Sequence, residues 1–187
     1  FNRHFYQSND EVVCISKVTH EIVKSVVPEV SSRYLPHAVN GEIFKKFTKA
    51  EDKEKMTKIA TQLPGMQDFS FSSKNRKKIF FWNNRNARRK QSGTLIWWFK
   101  EFLDEVGHDK ATLIMHTDPK DPNGQDLHQL VEDMNMTDGR VILSSKKLSS
   151  EVLSMMYNMA DCTINISDAE GFGLATLESL SCGTPII

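Results

Sequence analysis

From Ile79 to the end of the chain, short apolar runs alternate with helix-patterned stretches about every 25 residues, and few architectures satisfy that alternation. Ile79-Phe80-Phe81-Trp82 is a continuous apolar run, as expected of a strand covered on both faces. Leu95, Ile96, Phe99, Phe102, Leu103 and Val106 then mark one face of an amphipathic helix, which Gly107 is placed to end. Further strands are expected at 112–115, 141–143 and 162–166, with another beginning at Pro185. Helices are expected over 125–134, after a cap at Ser149 or Ser150, and over 172–182. The pattern predicts an α/β fold, a parallel sheet with helices on both faces. In such folds ligands sit at the carboxyl ends of strands, so the loops after Trp82, Met115, Leu143 and Ile166 should converge on one crevice.

The first third of the chain is less regular. Residues 12–15 and 19–26 predict a strand, a turn at Ser16 and a helix that Pro28 ends. Residues 28–47 are expected to be a connector, and the charged, Ser-rich stretch 49–78 a surface excursion. Lys+Arg and Asp+Glu are equal at 24 each, so no global field draws the protein to nucleic acid or an anionic membrane. No run approaches the roughly 20 apolar residues a membrane span needs. The odd count of unpaired Cys14, Cys162 and Cys182 points to a reducing compartment, so a cytoplasmic location is expected. The chain opens on Phe1 and stops inside the apolar Pro185-Ile186-Ile187, which suggests an excerpt from a longer protein, incomplete at the C-terminus.

The richest chemistry lies in residues 167–185. Gly171 and Gly173, at a strand-to-helix junction, let backbone N–H groups approach a ligand closely, and the helix N-terminus suits a phosphate. Glu178 lies two helical turns beyond Glu170, about 80° away around the axis, so both carboxylates can face one crevice. The alternative is a tight turn with Glu170 capping the helix and Glu178 solvated. The run Asn83-Asn84-Arg85-Asn86-Ala87-Arg88-Arg89-Lys90 follows the first buried strand. It reads as a phosphate-binding loop or a solvated basic turn. Nucleic-acid recognition is disfavoured, because the chain is neutral and Trp97 and Trp98 sit in a helix rather than among the cations. Asp118-Pro119-Lys120-Asp121-Pro122-Asn123-Gly124 reads as a plain turn without calcium-ligand spacing. His37, His116 and His128 have no metal-ligand spacing, and no metal site is expected.

Glu170-Gly171-Phe172-Gly173-Leu174, a second glutamate at Glu178, and then Ser181-Cys182-Gly183-Thr184-Pro185-Ile186-Ile187 resemble the signature of the group 1 retaining glycosyltransferases of GT-B fold. Leu35-Pro36-His37-Ala38-Val39-Asn40 and Phe44 resemble that family's passage between domains, and Tyr157, Ala160 and Asp161 resemble the elements before its signature. The resemblance implies a Rossmann-like donor-binding domain over 48–187, a connector over 28–47, and the tail of an acceptor domain over 1–27. It implies Glu170, Arg85 and Lys90 as catalytic groups, the cations meeting the donor diphosphate and Glu170 lying beside the donor sugar. Gly171, Phe172, Gly173, Leu174 and Ser144 would bind the donor, and Glu178 its ribose. No cofactor is implied beyond the nucleotide-sugar substrate. The acceptor, saccharide, lipid or protein, is left open, as is peripheral membrane contact through the missing domain, and this stretch alone is expected to be weak or inactive. Alternatives are a sugar-nucleotide epimerase of similar fold and a non-catalytic nucleotide- or nucleic-acid-binding module. One departure stands out: Asn83-Asn84 and Gln91 occupy positions where the family commonly shows glycines.

Overall fold

The computed structural model describes residues 2–187, which divide into two units: residues 2–39 with 170–174, and 40–169 with 175–187. The first holds α1 (Arg3–Gln7), β1 (Glu11–Cys14), α2 (Lys17–Val26) and β2 (Ser31–Tyr34). β1 and β2 pair in parallel, Glu11 opposite Ser31 and Cys14 opposite Tyr34, with α2 as the crossover. Val23 and Val27 bury against Cys14, while Val18 and Ile22 remain exposed. Within the stretch 28–47, β2 adds a strand that the sequence pattern does not show. Ser31-Ser32-Arg33-Tyr34 carries no apolar run, and its strand is held by pairing with β1 and by the Arg33–Glu11 ion pair at 2.7 Å.

The second unit contains α3 (Ala50–Ala60), β3 (Lys78–Asn83), α4 (Ser92–Val106), β4 (Ala111–His116), α5 (Leu127–Asp133), β5 (Val141–Ser144), α6 (Ser150–Met159), β6 (Cys162–Thr163) and α7 (Leu174–Ser181). Its sheet is all parallel, in the order β5-β4-β3-β6. Thr163 also forms a single parallel bridge to Ile186, and Asn165 N donates to the Ile187 carbonyl at 2.6 Å. On one face α4 and α5 bury Leu95, Ile96, Phe99, Leu103, Leu127 and Val131 against Trp82, Leu113 and Met115. On the other, the α6 residue Tyr157 packs edge-on against Phe81 of β3, with α3 behind α6. This is the expected Rossmann-like arrangement, because β4, buried along five of its six residues, needs cover on both sides.

The helix ends follow local chemistry. The Asp126 carboxylate accepts from the His128 and Gln129 amides, the Ser149 hydroxyl accepts from Val152 N, and Gly107 ends α4 at φ 108°. Phe102 and Val106 of α4 are partly exposed rather than buried with its inward face. α7 begins at Leu174, two residues later than the pattern suggests, after Gly173 at φ 84°.

Residues 49–78 are not a surface excursion. Met56, Ala60, Met66 and Phe69 are buried, and the turn at Gly65 lies against the one at Gly139. Both glycines have positive φ, and a Cβ on Gly139 would lie 2.4 Å from the Pro64 carbonyl oxygen. The segment closes on Arg76, whose guanidinium forms two 2.7 Å bonds to the Asp161 carboxylate and lies over the rings of Phe69 and Phe71.

Candidate functional site

The chain runs from β3 outward to β4 and β5 and then returns to place β6 on the opposite side of β3. In doubly wound sheets ligands bind at the carboxyl ends of the strands that flank such a reversal, here β3 and β6. The loop after β3 and the loop after β6 are stitched together there. Asp168 N donates to the Arg89 carbonyl at 2.9 Å, the Arg89 guanidinium donates to the Ala169 carbonyl, and Gln91 Nε2 donates to Asp168 Oδ2 at 2.8 Å.

The loop after β3 is anchored from beneath. Asn86 is fully buried; its amide donates to the Gln125 carbonyl at 2.7 Å and its oxygen accepts from the Ser92 hydroxyl at 2.7 Å. Gly124 is required opposite it, since a Cβ there would lie 2.3 Å from Asn86 Oδ1. A single 3-10 turn, Arg88–Lys90, then leads into Gln91, which adopts φ 56°, ψ 34°. Within this frame the two cations named from the sequence differ sharply. Lys90 is buried, and its ammonium donates to Asn84 Oδ1 at 2.7 Å. The Arg85 side chain is mostly exposed, with Nε 2.6 Å from Asp121 Oδ2 and Nη2 3.2 Å from Asp121 Oδ1. The 118–124 segment is a turn, as expected, but Asp121 within it is buried and orients Arg85. Arg85 and the N–H groups of Asn123 hold the Asp121 carboxyl far below the ordinary carboxylate range. Two buried polar atoms at these strand ends, Asn84 Nδ2 and Thr117 Oγ1, have no hydrogen-bond partner.

Ser144 ends β5, with its hydroxyl 3.1 Å from Nδ1 of His116 at the end of β4. Burial lowers the pKa of His116, which favours the neutral ring at pH 7. A groove of about 650 Å³ runs along β5 rather than only past its end, lined by Ile59, Pro64, Gly139, Val141, Ser144 and Lys146. Glu178, on α7, is half-buried. Its Oε2 accepts from the Tyr157 hydroxyl at 2.7 Å, and Tyr157 accepts from Asn83 Nδ2 at 2.9 Å. Burial raises the Glu178 pKa, and the Tyr157 bond partly opposes the rise. The structure thus gathers Arg85, Lys90, Ser144 and Glu178 at or beside the carboxyl edge of one sheet. Glu170, Gly171, Phe172, Gly173 and Leu174 group instead with the first unit, where Phe172 meets the His37 ring edge-to-face at 5.2 Å. A Cβ on Gly171 would meet no protein atom within 4 Å. Asp121, His116 and Asn83 were not legible as site residues; for His116 and Asn83 the one signal was a polar residue at a strand's carboxyl end.

The family model for glycosyl transferases group 1 matches residues 66–187. The chain belongs to the group 1 glycosyl transferases. Over 185 residues it is 28% identical to the alpha-monoglucosyldiacylglycerol synthase of Streptococcus pneumoniae, covering 99% of this chain and 38% of that relative. Among solved structures it is similar to the sucrose-phosphate synthase of Thermosynechococcus elongatus, with TM-score 0.72, 22% identity, and 99% of this chain against 42% of that one. It is also similar to Anabaena HepE in complex with UDP and glucose, with TM-score 0.69, 15% identity, and 100% of this chain against 48% of that one. This glycosyl transferase chain therefore has the Rossmann-like fold of a GT-B donor domain and spans less than half the length of these relatives.

Proposed function

We propose that the protein carrying this chain transfers a sugar from a nucleoside-diphosphate-sugar donor to an acceptor, with retention at the anomeric carbon, and that residues 48–187 are the donor side. In this reading residues 1–27 end the acceptor domain and 28–47 connect the two. The observation that carries the reading is the reversal between β3 and β6, where two stitched loops bring a fixed guanidinium and a buried ammonium to the carboxyl end of the sheet. Asp121 takes Nε and one Nη2 donor of Arg85 and leaves the remaining N–H groups for a phosphate. Arg85 and Lys90 stabilise charge on the departing diphosphate, and because both are held before the donor arrives, little reorganisation is needed at the moment of reaction.

Glu178 accepts from ribose hydroxyls, Ser144 contacts the nucleoside side, and Glu170, with the amides and flanking side chains of Gly171, Phe172, Gly173 and Leu174, meets the donor sugar. Glu170 positions the sugar and supports an oxocarbenium-like centre. The leaving phosphate takes the acceptor's proton on the same face, which gives retention. The name of the pneumococcal relative specifies an alpha-glucosyl lipid, which favours retention from an α-linked donor and makes a diacylglycerol the first acceptor to try. The reading includes a cytoplasmic site of action, with peripheral membrane contact made by the acceptor domain.

The test is a calorimetric panel of UDP, GDP and ADP and their glucose conjugates against the full-length protein, followed by NMR of the product made with diacylglycerol or a simple sugar acceptor. Tight binding of one nucleoside diphosphate, and an α-linked product from its α-linked donor, are expected. An inverted product overturns the retaining reading, an epimerised nucleotide sugar overturns transfer, and no nucleotide binding overturns the donor site.

A further inference from the structure

We infer that Asn83 and Tyr157 form a positioning relay that holds Glu178 for the ribose, so that nucleotide recognition on α7 is set from the end of β3. The inference rests on the reading of Glu178 as the ribose contact and adds two residues that do not touch the donor.

The chemistry fixes the direction of the relay. An ionised Glu178 carboxylate only accepts hydrogen bonds, so the single Tyr157 proton must point to Oε2, 2.7 Å away. The Tyr157 oxygen is then left as an acceptor, and the group 2.9 Å from it must be the Asn83 amide nitrogen rather than its oxygen. Neither end has freedom to drift. Tyr157 is fully buried, with its ring edge-on to Phe81 at 5.1 Å and to Phe44 at 6.2 Å. Asn83 is the last residue of β3, in register with His116 of β4. With Oε2 held by Tyr157, Oε1 is left to meet a ligand. The bond also favours the charged form of a half-buried acid, which burial alone would push toward neutrality.

Both asparagine side chains at the end of β3 are in use: Asn83 reaches Tyr157, and Asn84 accepts from Lys90. One strand end thereby orients both the carboxylate read as the ribose contact and an ammonium read as a phosphate contact.

A buried tyrosine satisfied by two neighbours could be purely structural, so the test needs a readout that folding alone does not move. In the full-length protein, whichever of UDP, GDP and ADP binds most tightly is compared with its 2′,3′-dideoxy form, and the ratio of the two affinities reports the ribose contact. Glu178→Gln should bring the ratio close to one. Tyr157→Phe and Asn83→Ala should each lower it by about 3- to 12-fold, the range of one neutral hydrogen bond, while dideoxynucleotide affinity changes less than about 2-fold. Tyr157→Phe added to Glu178→Gln should have no further effect on the ratio. Asn83→Asp should be worse than Asn83→Ala, because a new carboxylate competes for the one tyrosine proton. If Glu178→Gln collapses the ratio while Tyr157→Phe and Asn83→Ala leave it within about 2-fold, the relay is overturned and the ribose reading stands. If Glu178→Gln leaves the ratio intact, or none of the three nucleotides binds, the ribose reading itself fails and the relay with it. Should Tyr157→Phe not fold, the two Asn83 variants decide, since that side chain is only half-buried.

Discussion

Removing the Asp161 carboxylate should destabilise the larger unit strongly while leaving nucleotide affinity unchanged. Asp161 sits at the start of β6, at the edge of the sheet opposite the crevice. Its carboxylate receives two 2.7 Å bonds from Arg76, one of 3.3 Å from Lys78 and one of 2.9 Å from the Ile79 amide. The Arg76 and Asp161 side chains are 17% and 20% exposed, which puts the pair much nearer the buried than the surface case. Breaking a buried pair costs about 3 to 5 kcal/mol and a surface pair about 0 to 1. Discounting for residual exposure, and for the cation–π contacts that Arg76 keeps with Phe69 and Phe71, Asp161→Ala should cost about 2 to 3 kcal/mol. That corresponds to roughly 4 to 12 °C in unfolding midpoint for a domain of this size. Asp161→Asn, which keeps an acceptor for Ile79 N, should cost about half as much. The pH dependence has a definite sign. Burial alone would raise the Asp161 pKa, but Arg76, the Ile79 amide and Lys78 together carry it below the usual value. A depressed folded pKa contributes stability that is present above about pH 4 and lost as pH falls through the folded value, so the mutant and parent should converge in acid. Urea unfolding at pH 7 and below pH 4, with nucleotide titration of the folded variants, makes the comparison. A loss below about 0.5 kcal/mol at pH 7, or one that does not shrink in acid, would refute the reasoning.

Arg85→Ala and Lys90→Ala in the full-length protein should weaken nucleoside diphosphate binding by about 10- to 150-fold while nucleoside binding barely changes. Asp121→Asn should shift Arg85 in the same direction by less, and equal losses for nucleoside and diphosphate in calorimetry would refute the phosphate assignment. Glu170→Ala should spare affinity for the bare nucleotide and lower kcat with the complete donor; normal turnover in steady-state assays removes that residue from the site. Gly139→Ala should cost more than about 1 kcal/mol in denaturant unfolding, given φ 78° and the Pro64 carbonyl oxygen 2.4 Å from the new Cβ. Unchanged stability would mean that the Gly65 and Gly139 turns do not pack as described.

What the sequence revealed of the fold follows from burial. β3, β4 and β5 are covered on both faces, so each appears as an unbroken apolar run, and each was located to within a residue or two of its ends. The caps at Ser149 and Gly107 were legible for the same local reason, since each acts through its own backbone neighbourhood. β2 and α3 were not. The four residues of β2 are largely exposed, and the buried Met56, Ala60, Met66 and Phe69 are spread over a charged stretch that shows too little of either period to register. Asp121 escaped because its partner Arg85 is 36 residues away, and its own surroundings, two prolines and a glycine, spell only a turn.

Asn83, Asn84 and Gln91, at positions where the family resemblance implies glycines, reverse an ordinary inference. Glycine at such positions serves close backbone approach and positive φ, so a larger residue there suggests a distorted or abandoned site. Gln91 nevertheless occupies the left-handed region, at φ 56°, and its side chain accepts from Thr94 Oγ1 at 2.8 Å and donates to Asp168 at 2.8 Å. The backbone conformation that glycine would adopt freely is thus retained, and the cost of adopting it with a Cβ, about 1 kcal/mol, is of the same size as one such hydrogen bond. Asn83 and Asn84 need no positive φ, and their side chains reach Tyr157 and Lys90. The side chains of this loop connect β3 to α6, to the buried ammonium and to the loop after β6. Loop geometry and side-chain function are therefore separable here, and a glycine placed at 83 would test the second without disturbing the first, because no positive φ is required at that position.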